Sequence, residues 1–344
     1  MANSAKTDSR HRPISSRYGV HGPIGVGGQV QAYLARDLLL GEDVVLKAAA
    51  DNESTLRDEF CLLRHLKHPN VAEARDLVRA DRLYLVQAHA PGEDFFAWAT
   101  ADPQPMRLAR GIAAVLRGVQ YIHCQGVVHR DIKPENIRVG SAEAGGLPWA
   151  RLIDFGLAAS QGTLPDAAGT MNYIAPEILN GEAPSPASDM YSLGVVLHEA
   201  CLGRRLDRPP APGELRHWAA SGAKQRRLLS EVTDDLLAEA PSQRPEPSAV
   251  MDALEQVCGA PLRLCPEDLR TTYFPRPPLV GRQEAVRGLQ RLIDAIETAG
   301  AARLLWVTGH GKTAIAAEAC ALARIAGYEV LQAASPEALV SRLD

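Results

Sequence analysis

The order of apolar and polar positions predicts a sheet region first and a helical region after it. Between residues 18 and 86, three short runs resemble half-buried β-strands: QAYLARD, EDVVLKA and RLYLVQA. A longer run among them, STLRDEFCLLRHL, spaces its apolar residues by three and four and predicts a helix. The pattern therefore predicts a small antiparallel sheet with one inserted helix.

Beyond Phe95 the spacing becomes mostly helical. Two runs, MRLARGIAAVLRGVQYIHCQG and ASDMYSLGVVLHEACLG, repeat apolar residues at i, i+3 and i+4 and end at a glycine. Residues 1–17 lack such a pattern, which predicts a flexible leader. Five prolines within 259–278 predict a linker between a main domain, 18–258, and a second unit, 279–344. That unit opens with VGRQEAVRGLQRLIDAIE, a predicted amphipathic helix.

Composition narrows the classes of function. A chain of 344 residues with 46% hydrophobic and 23% charged residues is typical of one or two globular domains. The net charge is −4 and no basic block stands out, which argues against nucleic acid as a partner. The sequence has neither an apolar N-terminal segment nor a run of ~18 apolar residues, so we expect a cytoplasmic protein without a membrane partner. The six scattered cysteines lack metal-ligand spacing and are predicted to be plain thiols.

Several short motifs follow one another between residues 24 and 244: IGVGGQVQAYLA, VVLK, LRDEF, HRDIKPEN, DFG, GTMNYIAPE, SDMYSLG and SQRP. In this order they resemble the protein kinase family, specifically its Ser/Thr branch, over about Tyr18 to Val257. The resemblance implies an α+β, bilobal protein kinase fold, with an antiparallel sheet and one helix in the N-lobe and a mainly helical C-lobe.

The resemblance also implies an ATP site. Glycines in the first motif would let the backbone approach the phosphates, where a Cβ would obstruct it. Lys47 would contact the α and β phosphates and pair with Glu59, for which Glu53 and Asp58 are the alternatives. The residues expected to bind ATP are Gly25, Val26, Gly27, Gly28, Lys47, Glu59, Ala88, Ala90, Asn136 and Asp154.

The motif HRDIKPEN is the most specific of the set and carries the expected catalytic residues. Asp131 would orient the substrate hydroxyl and accept its proton, while Lys133 would stabilise the charge on the transferring phosphoryl group. Asn136 and Asp154 would hold a magnesium ion. The resemblance therefore implies a kinase that uses ATP and Mg²⁺ on Ser/Thr hydroxyls of protein substrates.

Regulation is also implied. Arg130, directly before Asp131, is typical of kinases that are switched by a phosphate on the activation segment. Thr163 is our predicted site of autophosphorylation, which could involve self-association; Ser160 and Thr170 are the alternatives, and Thr170 is expected in the substrate-binding floor.

Two structural roles complete the resemblance. Glu177 should pair with Arg244, and Asp189 should brace the catalytic loop.

Three positions depart from the family pattern. Val30 replaces a glycine, Val45 replaces an alanine beside the adenine, and Arg138 replaces the apolar floor beneath it. An arginine can place its methylene stem under the ring and its guanidinium in water. Since every residue with a direct chemical role is present, an active kinase is favoured over the alternative of a pseudokinase scaffold.

The second unit resembles the start of an AAA- or STAND-type regulatory ATPase. Its strand-like RLLWVTG leads into GHGKT, where Lys312 and Thr313 would bind phosphate and metal in an intact loop. A P-loop needs four residues between its first glycine and the Gly-Lys pair, but only His310 stands there. No acidic strand follows to hold the metal. We therefore predict an incomplete α/β P-loop fragment that is either marginally stable or packed against the kinase. An ATPase switch with a subordinate kinase half is the alternative function.

Overall fold

The computed structural model describes most of the predicted main domain and part of the C-terminal region. The described residues are 14, 16–27, 30–49, 53–140, 148–160, 171–220, 222, 224–262, 284–285, 287–289, 291–293, 312–325 and 330. The predictions for Gly28, Thr163, Thr170, RLLWVTG and the loop at 309–311 concern residues outside these ranges. The chain divides into two units, the first with residues 1–65, 73–89 and 274–344, the second with 66–72 and 90–273.

The first unit contains a five-stranded antiparallel sheet and one helix before residue 90. In the order of the sheet, β1, β2, β3, β5 and β4 are neighbours. Pro23 lies in β1, an edge strand, which is the kind of strand that tolerates proline. The elements are β1 Tyr18–Gly27, β2 Val30–Asp37, β3 Glu42–Ala49, α1 Glu53–Leu63, β4 Ala74–Arg79 and β5 Leu83–Ala88.

Alternation along the strands gives this sheet two apolar faces. Tyr84 and Val86 join one buried cluster, whereas Leu83 and Leu85, one position away in β5, join another. The second cluster includes Leu56 and Phe60 of α1, which are four residues apart and so share one side of the helix. Burying both faces fixes the register of the strands.

The described contacts begin before Tyr18, the predicted start of the main domain. The guanidinium of Arg17 lies 2.7 Å from Asp37 and 2.9 Å from Asp76, two buried carboxylates. The hydroxyl of Tyr18 also donates to Asp76, at 3.2 Å. These pairs join residues up to 59 positions apart, so a pattern of neighbouring residues could not reveal that Arg17 belongs to the folded unit.

The second unit is mainly helical. Its short strands form two small sheets, β6-β8-β9 and β10-β7. Its elements are β6 Glu93–Asp94, α2 Phe95–Ala101, α3 Pro105–Cys124, β7 Val127–Val128, β8 Ile137–Gly140, β9 Trp149–Leu152, β10 Ala159–Ser160, α4 Pro176–Leu179, α5 Pro186–Leu202, α6 Arg216–Ala220, α7 Lys224–Leu236 and α8 Pro247–Cys258, with 3₁₀ turns at Pro134–Asn136, Met171–Tyr173 and Pro241–Gln243.

Helix α5 is the central helix of this unit and is almost wholly buried. Buried apolar residues lie on every side of it, together with the buried carboxylates of Asp189 and Glu199, as expected for a helix without a solvent face. Ser185 and Ser188 form a capping box at its start. Gly203 ends it at φ 66°, a left-handed conformation that glycine adopts without strain. The helix thereby holds Asp189 at a defined place in its first turn.

The predicted combination of an antiparallel sheet with one helix, followed by a mainly helical region, is confirmed. Strand β4 was missed because ARDLVR has two charged residues, Arg75 and Asp76, directly after Ala74 and so lacks an apolar alternation. In the C-terminal region, residues 284–285, 287–289 and 291–293 are helical, and Lys312–Ile325 forms a helix that we call α9. Within the described ranges, no helix combines the length and apolarity that crossing a bilayer requires.

Candidate active site

The loop between β7 and β8 brings three predicted site residues together around one carboxylate. Lys133 Nζ lies 2.7 Å from Asp131 Oδ2, and Asn136 Nδ2 donates to the same oxygen at 2.8 Å. Asn136 Nδ2 also donates to the Asp131 carbonyl at 2.8 Å. Both described side-chain donors use Oδ2, which leaves Oδ1 of Asp131 to accept a proton from a hydroxyl group. Asp131 is only 9% exposed.

Asp189 of α5 fixes the backbone of this loop from below. Its Oδ2 accepts the N–H of His129 at 2.8 Å, and its Oδ1 accepts the N–H of Arg130 at 2.9 Å. The side chain of His123 lies 2.9 Å from Oδ2. Burial alone would raise the pKa of Asp189, but the hydrogen bond to His123 and its other partners outweigh burial and lower that pKa. Asp189 is therefore an anion, and its carboxylate holds the backbone of the loop through these hydrogen bonds.

Two residues at the site adopt a left-handed backbone that is rare without glycine. Arg130 has φ 70° and Asp154 has φ 64°, and they are the described non-glycine residues with positive φ. For Arg130, the bond from its N–H to Asp189 helps to hold this conformation. The sequence contained no signal for this, since neither residue type specifies a positive φ.

The ring of His129 packs against Phe155, with 4.6 Å between ring centroids. His129 is fully buried, and its Nδ1 faces the backbone N–H of Asp131 at a long 3.4 Å. These contacts favour the predicted role of a packed histidine over that of a base. The contact also joins the HRD motif to the DFG motif, which contains Asp154.

The first unit holds a buried ion pair between Lys47 of β3 and Glu59 of α1. Lys47 Nζ lies 2.7 Å from Glu59 Oε1, and both side chains are almost fully buried. The alternatives are placed differently, since Glu53 pairs with Arg79 and Asp58 is exposed. Burial makes this pair costly to break from one side.

Sequence reasoning missed two polar residues that support the site. Gln87 of β5 donates from Nε2 to Glu59 Oε1 at 3.2 Å, in the same buried region as the ion pair. His123, near the end of α3, contacts Asp189 as described above. Each is a polar residue inside an apolar run, LYLVQA or QYIHC. A buried polar group needs a partner, and this was the available signal.

The remaining predicted nucleotide contacts are described in part. Gly25 pairs with Ala32 and Gly27 with Val30, so the first motif forms the β1–β2 hairpin. The amide of Ala88 donates to the Glu73 carbonyl at 2.9 Å. Val26 lies in the same strand β1, and Ala90 is buried in the second unit.

The departures from the family pattern have local explanations. Val45 is half-buried in β3, where it lies opposite Leu34 and Gln87 in the neighbouring strands. Arg138 donates to the carbonyl of Gly92, so its guanidinium has a partner within the second unit. Neither Val45 nor Arg138 contacts a residue with a proposed chemical role through these interactions.

The donor set fits a magnesium ion. The amide nitrogen of Asn136 is committed to Asp131, so its amide oxygen is the atom that would face a cation. Asp154 adds a carboxylate. Oxygen donors from one carboxylate and one amide, completed by phosphates and water, match the preference of Mg²⁺.

The predicted pair between Glu177 and Arg244 is present in the second unit. Arg244 Nη1 and Nη2 each lie 2.7 Å from one oxygen of Glu177, a bidentate arrangement. Ser188 Oγ also donates to Glu177, at 3.0 Å. This joins the end of the activation segment to the loop before α8.

Comparison with known proteins agrees with the geometry. Residues 18–258 match the family model described as protein kinase domain. The chain is 30% identical over 303 residues to serine/threonine-protein kinase pkn2 of Myxococcus xanthus, covering 77% of this chain and 35% of that protein. It is 31% identical over 206 residues to PrkC of Bacillus subtilis, covering 56% and 31%.

A third relative is the DNA damage-responsive serine/threonine-protein kinase RqkA of Deinococcus radiodurans, 32% identical over 218 residues, covering 58% of this chain and 31% of RqkA. The chain thus spans about a third of the length of these three relatives. The matched region contains every site residue described above. The chain therefore belongs to the protein kinase family.

Proposed function

We propose that this protein is a serine/threonine protein kinase that transfers the γ-phosphoryl group of ATP to hydroxyl groups of protein substrates, with Mg²⁺ as the metal. The observation that carries the proposal is the loop in which Lys133 and Asn136 both donate to Asp131, on a backbone held by Asp189. This arrangement provides one oriented carboxylate and one adjacent positive charge, as phosphoryl transfer requires.

The residues of this chain divide the work as follows. Asp131 binds the acceptor hydroxyl and takes its proton as the oxygen attacks phosphorus. Lys133, 2.7 Å from that carboxylate, stabilises the negative charge that develops on the transferring group. Glu59 holds Lys47 so that its ammonium faces the α and β phosphates. Asn136 and Asp154 would hold Mg²⁺, which when bound would neutralise charge on the phosphates.

The test is transfer of labelled phosphate to the protein itself or to a generic basic protein. We expect incorporation that requires ATP and Mg²⁺, and a loss of at least about a thousandfold in Asp131→Asn, since the base is removed while the shape stays. Equal incorporation by Asp131→Asn would refute the proposal. Binding of ATP without any transfer would support the silent scaffold, and ATP hydrolysis lost in Lys312→Ala but kept in Asp131→Asn would support the ATPase switch.

The proposed regulation is autophosphorylation at Thr163, in which ATP supplies the phosphoryl group, a second copy of the chain catalyses the transfer and Arg130 binds the resulting phosphate. It is supported by the place of Arg130 directly before the catalytic aspartate. Thr163→Ala should reduce activity only in protein that has first been allowed to phosphorylate itself. Both forms are compared with and without phosphatase treatment, and identical activity under all conditions rules out the role of Thr163.

A further inference from the structure

The second unit contains a charged cluster that the proposed function does not use. Arg205, just after α5, lies with Nη2 2.7 Å from Glu135 Oε1 and with Nε 3.1 Å from Glu199 Oε2. Its Nη2 also donates to the hydroxyl of Tyr173 at 2.7 Å. One guanidinium therefore joins two carboxylates and a phenol.

The cluster lies beside the residue that would handle the acceptor hydroxyl. Glu135 is in the 3₁₀ turn Pro134–Asn136, directly before Asn136, whose amide is 2.8 Å from Asp131. Consecutive Cα atoms are about 3.8 Å apart. A side chain only a few residues from the acceptor in an extended substrate can therefore reach Glu135. Tyr173, on the other side of the cluster, ends the turn that precedes the motif Ala175–Glu177.

Exposure and charge show what Arg205 does to this site. Glu199 is 1% exposed, whereas Glu135 is 51% and Arg205 is 40% exposed. Glu199 keeps two further donors, the hydroxyl of Tyr173 and the N–H of Leu206, both at 2.8 Å. Two carboxylates so close together are a site for a cation. Here the chain supplies that cation itself.

We propose that Arg205 determines substrate specificity by filling an acidic site next to the acceptor from within the chain. A substrate with arginine or lysine near its acceptor would meet a guanidinium where it needs a carboxylate. A substrate with an acidic residue there can use the exposed part of Arg205. The inference rests on the proposed kinase function and adds the charge class of the preferred substrate.

The experiment compares peptides that share one serine acceptor and carry Arg, Ala or Glu at each position from three before to three after it. In the wild-type chain, one of these positions should show a charge preference: the peptide with Glu there should have the highest kcat/KM and the one with Arg the lowest. At that position, Arg205→Ala should raise the ratio of kcat/KM for the Arg peptide to kcat/KM for the Glu peptide about tenfold. Glu135→Gln should shift the ratio the other way, about threefold, because it removes one acid and leaves the guanidinium.

Arg204→Ala is the matched control, since it removes the same charge from the neighbouring exposed residue. It should leave the ratio unchanged. Equal shifts in Arg204→Ala and Arg205→Ala would overturn the proposal, and so would an unchanged ratio in both Arg205→Ala and Glu135→Gln.

Binding of the same labelled peptides, followed by fluorescence anisotropy without ATP, separates this inference from the kinase proposal. Loss of phosphate transfer with the charge preference in binding retained would refute only the kinase function. Phosphate transfer without any charge preference would refute only the role of Arg205.

A different observation carries a second inference, about the helix that follows the shortened GHGKT loop. Helix α9 belongs to the first unit, where Ala321 is part of the apolar cluster of Leu56 and Phe60. Glu318 lies three residues earlier, on the same side of α9. Its Oε1 is 3.1 Å from Arg64 Nη2, and both side chains are mostly buried.

We infer that α9 is a docking helix for α1, the helix that carries Glu59. A shared apolar cluster, which also includes Leu77 of β4, and an ion pair hold α9 beside α1 while the pair between Glu59 and Lys47 is formed. The arrangement with α9 docked is therefore the one in which Glu59 is paired with Lys47. The region that resembles an ATPase would then act on α1 instead of on a second nucleotide.

Charge reversal in the full chain tests this contact. Glu318→Arg and Arg64→Glu should each lower kcat/KM about fivefold, chiefly by raising KM for ATP, and should increase hydrogen exchange in α1. The double reversal should restore both. Glu284→Arg, at an exposed residue of the same region, is the matched control and should change neither. Unchanged hydrogen exchange in both single variants, or a double variant as impaired as either, would overturn the inference whether or not the chain is a kinase.

Discussion

Two buried ion pairs with the same 2.7 Å separation differ in what their surroundings allow. Arg244 uses both terminal nitrogens on Glu177 and also donates to the backbone carbonyls of Ala187, Ala238 and Glu239. The ring of Tyr191 lies 5.0 Å from its guanidinium carbon. With all of its hydrogen bonds made in this way, the planar guanidinium is held in one orientation.

The pair in the first unit has a different proposed task, which is to contact the phosphates of ATP. Lys47 is a single ammonium on a flexible stem, and its partner Glu59 also accepts from Gln87. A point charge with three rotatable donors can serve a phosphate without leaving its carboxylate. Burial and distance alone therefore do not separate a structural ion pair from one proposed to take part in chemistry. The number of hydrogen bonds that fix the orientation of the cation does separate them.

The largest effect should come from breaking the Arg244 pair. Arg244→Met leaves Glu177 buried without its partner, so the free energy of unfolding should fall by about 3–5 kcal/mol. Urea denaturation measures it. The double variant Glu177→Gln with Arg244→Met should recover part of the loss, because the uncompensated charge is gone. A loss below about 1 kcal/mol in the single variant would show that the pair is not structural.

Lys47→Met should have a different profile. We expect phosphate transfer to fall about 100- to 1000-fold, the range for removing one preorganised stabilising group. The free energy of unfolding should also fall, because Glu59 stays buried without its cation, but by less than in Arg244→Met, since Glu59 keeps the amide of Gln87. A stability loss as large as that of Arg244→Met, with activity retained, would remove the distinction between the two pairs.

A smaller effect is expected at Gln87. Gln87→Leu removes one hydrogen bond to the carboxylate of Glu59, and a hydrogen bond to a charged group is typically worth about 1.5–3 kcal/mol. Activity should fall about fivefold, with KM for ATP affected because Lys47 is less firmly held. Gln87→Glu is the informative counterpart, since it places a second carboxylate beside Glu59 and should be worse. Equal activity of both variants would show that Gln87 does not position the pair.

The pH dependence of stability should separate the pairs further. Burial would raise the pKa of Glu177, but hydrogen bonds from Arg244 and others outweigh it and hold that pKa below its usual value. A lowered pKa stabilises the fold fully above the usual glutamate pKa, and this contribution disappears as pH falls through the folded-state pKa. Wild-type stability should therefore decline in acid more steeply than that of Glu177→Gln. Parallel curves would contradict this.

The smallest effect should come from Lys312→Ala. The loop before Lys312 is three residues short of a P-loop, so neither ATP affinity nor kinase activity should change. Isothermal titration with ATP and the transfer assay measure both. A clear loss in either would give the loop a nucleotide-binding role.

Much of the site was predictable because its motifs are local. HRDIKPEN and DFG place chemical residues a few positions apart, and the order of motifs implied the sheet region before the helical one. Glu59 was chosen over Glu53 from its place in the run before HPN, and the structure pairs it with Lys47. Local spacing predicts local geometry.

The sequence alone determined the family and the order of the two regions, and it named the residues proposed to carry the chemistry, because these depend on residue type and short spacing. Only the tertiary structure decided that Arg17 pairs with carboxylates of the sheet, that His123 supports Asp189, that Arg205 lies between two carboxylates and that α9 shares an apolar cluster with α1 and β4. Arg64 and Glu318, for example, are 254 positions apart. Contacts over such separations depend on how whole elements pack, and a periodic pattern contains no record of which surface faces which.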